Sequence, residues 1–113
     1  MPVKSLKISF NTRGNTDVVA ITDQVAGCIV ESGLLNGIVT LFCSSSTSAL
    51  TTLEYGPGVI KDLTRLFDEI SPIDRPYAHH AAWNDYNGHS HVRSALLGPS
   101  LVVPFINGHL TLG

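Results

Sequence analysis

Six consecutive residues, Ile38-Val39-Thr40-Leu41-Phe42-Cys43, constrain this chain more than anything else in it. The run is too apolar for a strand with one wet face, so it reads as a central strand. A central strand needs partners, and the flanking sequence offers both strands and helices. Thr22 or Asp23 can cap a helix that carries Val25, Cys28 and Ile29 on its apolar face, with Gly33 at the left-handed C-cap. Gly56-Pro57-Gly58 opens a second helix, in which Ile60, Leu63, Leu66, Phe67 and Ile70 recur at helical spacing. Lys61, Asp62, Arg65 and Asp68 face water on its other side, and Ser71-Pro72 ends it.

Alternation supplies the remaining strands. Leu6, Ile8 and Phe10 share one face of a strand over 4–10, and a turn at 11–15 leads to a returning strand over 16–20. After Ser44-Ser45-Ser46, residues 49–54 form the next strand. Asn87 can cap a short helix through Leu97, closed by Gly98-Pro99. Residues 101–105 and 109–112 make a hairpin around Asn107-Gly108, the strongest short hairpin signal in the chain. The order β-β-α-β-β-α-(short helix)-β-β predicts an α+β fold with antiparallel sheets, in a single domain over 1–113.

Charged residues make up only 14% of the sequence, well short of the ~25% of ordinary soluble domains. The deficit suggests that part of the outer face is buried against other copies of the chain, in a symmetric homo-oligomer. Net charge is −2 and the seven basic residues are scattered, so no stripe exists to neutralise a nucleic-acid backbone. No apolar run approaches the ~20 residues of a membrane span, and no signal peptide opens the chain. Cys28 and Cys43 therefore read as buried free thiols in a cytoplasmic protein, too few for a structural zinc site.

The chemistry concentrates in one place. Four of the five histidines, His79, His80, His89 and His91, fall among Tyr77, Trp83, Asn84, Asp85, Asn87 and Arg93. Imidazoles with a nearby carboxylate can bind a metal, move a proton or hold an anion, so His79, His89, His91 and Asp85 are the candidate metal ligands. His89 and His91 would leave one face of an extended segment together, but on a helix starting at Asn87 they diverge by ~200°. Ser45, Ser46 and Thr47 offer hydroxyls and N–H groups to a phosphate oxygen, with Arg93 as a further anion contact. Glu54, His79 and His91 are the candidate acid–base residues. Neutral imidazole suits Zn²⁺ best among common divalent ions.

Three blocks carry a family resemblance. They are Phe42-Cys43-Ser44-Ser45-Ser46-Thr47-Ser48-Ala49-Leu50-Thr51-Thr52-Leu53-Glu54, then Tyr77-Ala78-His79 with Asn87-Gly88-His89-Ser90-His91-Val92-Arg93, and finally Leu96-Leu97-Gly98-Pro99-Ser100 with Asn107-Gly108-His109-Leu110-Thr111-Leu112-Gly113. Together they resemble the YjbQ-like proteins, also called the secondary thiamine-phosphate synthase family, essentially from end to end. The resemblance implies a two-sheet sandwich with two main helices, a trimer, and a histidine-lined pocket near the subunit boundary. His79 and His91 match the family's recurrent histidines, Glu54 its recurrent acid, and Asp85 and Asn87 its polar loop. Ser45 stands where many members carry a histidine, which removes one expected ligand. The family pattern also continues beyond Leu112-Gly113 into another strand that this sequence does not contain.

The activity proposed for that family couples a pyrimidine pyrophosphate to a thiazole phosphate and displaces pyrophosphate. Such a step needs a cation at the leaving group. No acidic pair dedicated to Mg²⁺ is visible here, and Arg75 and Arg93 are the only basic side chains near the histidines. Two classes stay open: an enzyme acting on a phosphorylated small molecule, and a non-catalytic protein that binds a metal or an anion.

Overall fold

The computed structural model describes residues 1–113. Its elements are α1 (Thr22–Ser32), β1 (Gly37–Phe42), α2 (Pro57–Ile70), α3 (Ala78–Trp83), α4 (Gly88–Leu97), β2 (Ser100–Ile106) and β3 (His109–Leu110). The fold is mixed α+β, with four helices and one three-stranded sheet in the order β1-β2-β3. No helix is long and apolar enough to cross a membrane. The chain gathers into two compact units, residues 1–40 with 102–113, and residues 41–101.

In the first unit, α1 begins at Thr22 with Ile21 at its N-cap and no side-chain cap bond, so neither Thr22 nor Asp23 caps it. It ends on Gly33, whose φ of 73° is the left-handed cap that glycine adopts without a steric penalty. Its Val25 and Ile29 are buried, as are Val103 and Phe105 of β2. The Phe105 ring closes on Gly37, where an added Cβ would stand 3.1 Å from it. β2 and β3 pair antiparallel with Phe105 opposite Leu110 and Ile106 opposite His109. Asn107 and Gly108 both have positive φ, 51° and 79°, the signature of the tight hairpin turn expected from this dipeptide. The turn is held from α1's exit: Gly108 N–H donates to the Leu35 carbonyl (2.8 Å) and Asn107 N–H to Asn36 Oδ1 (3.1 Å).

Three expected strands do not form. Residues 4–10 and 16–20 have no ladder partner. The loop between them closes on its own side chain, because Asp17 accepts from the Arg13 N–H (2.9 Å) and guanidinium (3.2 Å), and Thr16 takes a positive φ of 59°. Alternation shows that a segment can line a half-wet face, but only paired N–H and C=O groups make it a strand. Residues 49–54 likewise stay outside the sheet, held by Leu50 N–H to the Gly98 carbonyl (3.1 Å). β1 lies at an edge and not at the centre; β2 holds the middle, and Ile38 on β1 is 66% exposed.

In the second unit, α2 starts with Pro57 at its first turn after Gly56, as the sequence predicts. Phe67 is its buried residue, and Ser71 caps its end through N–H to the Phe67 carbonyl (2.8 Å). α4 runs from Gly88 to Leu97 and closes at Gly98. α3 packs against α4. Both cysteines are free thiols, as expected, but each is only half-buried.

Candidate functional site

The site is built on α3, the turn after it and the first turn of α4. Ser71-Pro72 ends α2, and the Tyr77 hydroxyl ties the next loop down by donating to the Pro72 carbonyl (2.7 Å) and meeting Ser71 Oγ at 3.1 Å. From Tyr77, the Ala-rich Ala78–Trp83 segment forms α3. Asn84 stops it in the left-handed region, φ 56°, with its N–H on the His80 carbonyl (2.9 Å). Tyr86 also takes a positive φ, 55°, and α4 begins two residues later.

An asparagine preceding a helix normally spends its side chain on capping. Asn87 does not: no side-chain cap bond forms, and the first N–H of the helix, that of Gly88, goes to the ring of His80 (3.3 Å). The Asn87 amide turns toward His79. This arrangement depends on Gly88, where a Cβ would stand 2.6 Å from Tyr77 Cβ and 3.2 Å from His80 Nε2. Only a glycine lets α4 approach α3 so closely.

The result is a triangle of polar atoms. His79 Nε2 lies 2.8 Å from Asp85 Oδ1 and 2.8 Å from the tip of the Asn87 amide. That tip is in turn 2.8 Å from Asp85 Oδ1. Turned with its nitrogen inward, the amide donates to Asp85 Oδ1, with Oδ2 at 3.3 Å. The ring of His91, one turn into α4, stacks at a tilt against His79 with centroids 4.4 Å apart. His79 and His91 thus converge although twelve positions separate them.

The other sequence candidates are elsewhere. His89 lies on the opposite face of α4, as the helix geometry requires, and is only 7% exposed. Its Nδ1 is buried without a partner, while Nε2 lies 3.3 Å from Ser90 Oγ. Burial first, then the neighbouring Arg93 and His80, holds its pKa below the ordinary histidine range. Arg93 is equally buried and turned inward. Its Nε donates to the Ser71 carbonyl (3.0 Å), its Nη2 meets Asp68 at 3.4 Å, and the guanidinium lies over the Phe67 ring at 5.4 Å. It holds α4 to the end of α2 and does not present itself to an anion. Ser45 and Thr47 bond to each other, Oγ to Oγ1 at 3.2 Å with Thr47 N–H on Ser45 Oγ at 3.2 Å, in an exposed turn that also holds Ser46. Glu54 is exposed, and no hydrogen bond or ion pair joins it to the histidines.

No three His, Cys, Asp or Glu side chains group to hold a metal ion. The third donor of the triangle is an amide, Asn87, which sequence reasoning treated as a helix cap and a member of a polar loop. The signal that could have found it is the adjacent glycine: Asn-Gly at a helix start frees the side chain when the next residue can be approached from outside.

Comparison with known proteins places this geometry in context. The sequence model of the family described as UPF0047 protein YjbQ-like matches residues 6–113. A UPF0047 protein of Methanothermobacter thermautotrophicus is 35% identical over 113 residues, covering 100% of this chain and 78% of that protein. The UPF0047 protein YugU of Bacillus subtilis is 31% identical over 112 residues, 98% of this chain and 81% of the relative. Among solved structures, an uncharacterised YjbQ/UPF0047 protein of Clostridium acetobutylicum superposes with a TM-score of 0.80 at 30% identity, over 91% of this chain and 78% of that one. A YbjQ-like protein of unknown function from Sulfolobus solfataricus gives a TM-score of 0.77 at 34% identity, over 84% and 67% of the two chains.

Proposed function

Since the chain belongs to the YjbQ-like UPF0047 family, we propose that its α3–α4 corner is a ligand site, and that it holds a divalent cation between His79, Asp85 and Asn87. The observation that carries this reading is the triangle of 2.8 Å contacts. Its edges meet at roughly sixty degrees, so no placement of protons gives each edge its own linear hydrogen bond. If His79 and Asn87 both donate to Asp85, two nitrogens face each other with no proton between them. If Asn87 donates to His79, the imidazole lone pair is spent and its contact with the carboxylate is unsupported. A cation seated over the triangle, with the Asn87 oxygen turned inward, satisfies all three atoms at once.

The spacing also speaks to the ion. Neighbouring ligand atoms stand ~2.9 Å apart around an octahedral ion with bonds of ~2.0–2.1 Å, against ~3.3 Å around tetrahedral zinc. The corner therefore suits an octahedral ion that accepts mixed nitrogen and oxygen ligands, such as Mn²⁺, better than the Zn²⁺ that imidazole chemistry favours. Three protein ligands leave open positions for water or for a phosphate oxygen, and His91 beside His79 is placed to carry a proton.

We read the protein as a small cytoplasmic homotrimer that binds a phosphorylated molecule through this cation, with its sheet completed into a sandwich. The pyrophosphate-displacing coupling would use the cation to take charge from the leaving group. No cationic side chain assists it, because Arg93 is turned inward and Arg75 donates to the Ile70 carbonyl (2.9 Å). Binding without catalysis asks less of these residues. The alternative is an anion held on imidazolium groups, and pH separates the two. Protonated imidazole cannot ligate, so acid weakens cation binding and strengthens anion binding. Calorimetric titration of Mn²⁺, Zn²⁺ and phosphate at about pH 5.5 and 7.5 tests this. The cation reading expects Mn²⁺ binding at the higher pH that Asp85→Asn abolishes. Phosphate binding that strengthens at the lower pH, with no response to Mn²⁺, would establish the anion.

A further inference from the structure

Residues 4–10 have the pattern of a strand and no backbone partner. The chain makes no turn or bend before 14–16, and takes no positive φ before Gly14. Lys4, Leu6, Ile8 and Phe10 alternate with Ser5, Lys7 and Ser9, the period that gives a strand two distinct faces. Leu6 is 43% and Phe10 50% exposed, and Ile8 alone of the segment is half-buried. No N–H or carbonyl of the segment bonds to another part of the backbone. An open run of such groups, with neither proline nor glycine in it, is a template for another strand.

Charge says what that strand is. Lys4, Lys7 and Arg13 stand in the first sixteen residues with no acid among them, although the whole chain carries −2. Arg13 is answered by Asp17 at 3.2 Å, whereas neither lysine joins an ion pair. A second copy pairing antiparallel about the centre of the segment would set Lys7 against Lys7, and like charges directly opposite destabilise a pair of strands. An acidic residue at that position does the reverse. We propose that residues 4–10 are a docking edge for an extended acidic segment of a partner protein, which adds to them as a β-strand. Main-chain bonds supply the affinity, and alternate side chains choose the partner. A carboxylate stands opposite Lys7, with apolar groups beside Leu6, Ile8 and Phe10. This edge needs nothing from the α3–α4 corner and stands whether or not that corner holds a cation.

The probes are two capped peptides on a polyethylene glycol tail, Val-Thr-Val-Glu-Val-Thr-Val and the same sequence with lysine at its centre. Each is titrated into the native protein by calorimetry, and amide hydrogen exchange is followed by NMR. The glutamate peptide is expected to bind about tenfold more tightly than the lysine one. Lys7→Glu, a change at an exposed side chain, should reverse that order. Protection should fall on every second amide between 4 and 10, since successive N–H groups point to opposite sides of a strand. Equal affinity for the two peptides, or binding of neither, overturns the proposal. So does an order that Lys7→Glu leaves unchanged, or protection of some other stretch. Amides 4–10 already protected in the peptide-free protein overturn it too. Loss of that protection on dilution would assign the edge to a second copy, and its persistence to another part of the same chain.

Discussion

At Gly88 a single missing Cβ sets the distance between two helices. A methyl group there would enter the Tyr77 side chain at 2.6 Å and 2.8 Å, and Tyr77 is tethered to Pro72 and cannot swing away. Gly88→Ala should therefore push α4 from α3, lose the His80 cap and pull Asn87 from His79. The expected cost is about 1–3 kcal/mol of stability and at least about tenfold in Mn²⁺ affinity, read by urea unfolding and calorimetry. Retained affinity in a folded Gly88→Ala protein would show that the triangle does not depend on this approach. His89 makes a contrasting case, since its buried Nδ1 has no partner. Burial first, then Arg93 and His80, holds its pKa below that of an unfolded histidine. The unfolded chain therefore takes up a proton near ~6.5 while the folded one resists it. Stability is full above that value, falls as the pH drops through it, and levels off below the folded pKa. His89→Leu should flatten this slope in the metal-free protein, and urea midpoints between about pH 7.5 and 5 would detect it. An unchanged slope would assign the effect to other groups.

Among the elements, those with punctuation at both ends could be read directly. α1 carries Gly33 and α4 Gly98, while α2 starts at Pro57, and these boundaries lie where their signals place them. The side-chain caps expected of Thr22 or Asp23 and of Asn87 do not form. The hairpin was equally plain from Asn107-Gly108. α3 has no capping side chain to announce it, since Tyr77 precedes it, although Ala78, Ala81 and Ala82 favour a helix more than any other residue does. The strands at 4–10, 16–20 and 49–54 were overread, since pairing depends on distant partners that periodicity does not encode. In the site, the approach of His79 to His91 was legible from the length of the loop. The role of Asn87 was not, because it depends on an approach of its amide to His79 and Asp85 that only the packed turn creates. Two glycines in and after α1 show how position decides the sign of a substitution. Gly27 lies inside the helix with open space around a new Cβ, so Gly27→Ala should stabilise by about 0.5–1 kcal/mol. Gly33 has equally open space but a φ of 73°, so Gly33→Ala should destabilise by about 1 kcal/mol. Thermal unfolding of the two variants checks the pair, and a shared sign would contradict the helix boundary.

For the whole molecule the question is what covers its apolar surface. Val103 and Phe105 of β2 are buried, while Val102 and Ile106, alternating with them, are more than half exposed. Ile38 on β1 is exposed as well, so the outer side of the sheet presents β-branched residues to water. A chain with only 14% charged residues has little with which to solvate such a face, and apolar patches of this kind mark contacts between proteins. Closed symmetric assembly is the common way to bury a face that every copy shares, because it leaves no open edge on which a fibre can grow. Multi-angle light scattering at micromolar concentration should find a trimer. Val102→Asp places a charge in the middle of the face without touching the buried side of the strand, and it should shift the protein toward monomer while circular dichroism stays the same. A native monomer under these conditions would remove the trimer from the account. A trimer indifferent to Val102→Asp would place the contact on another surface, and the exposed side of α4, with Val92 and Leu96, would be the next to change.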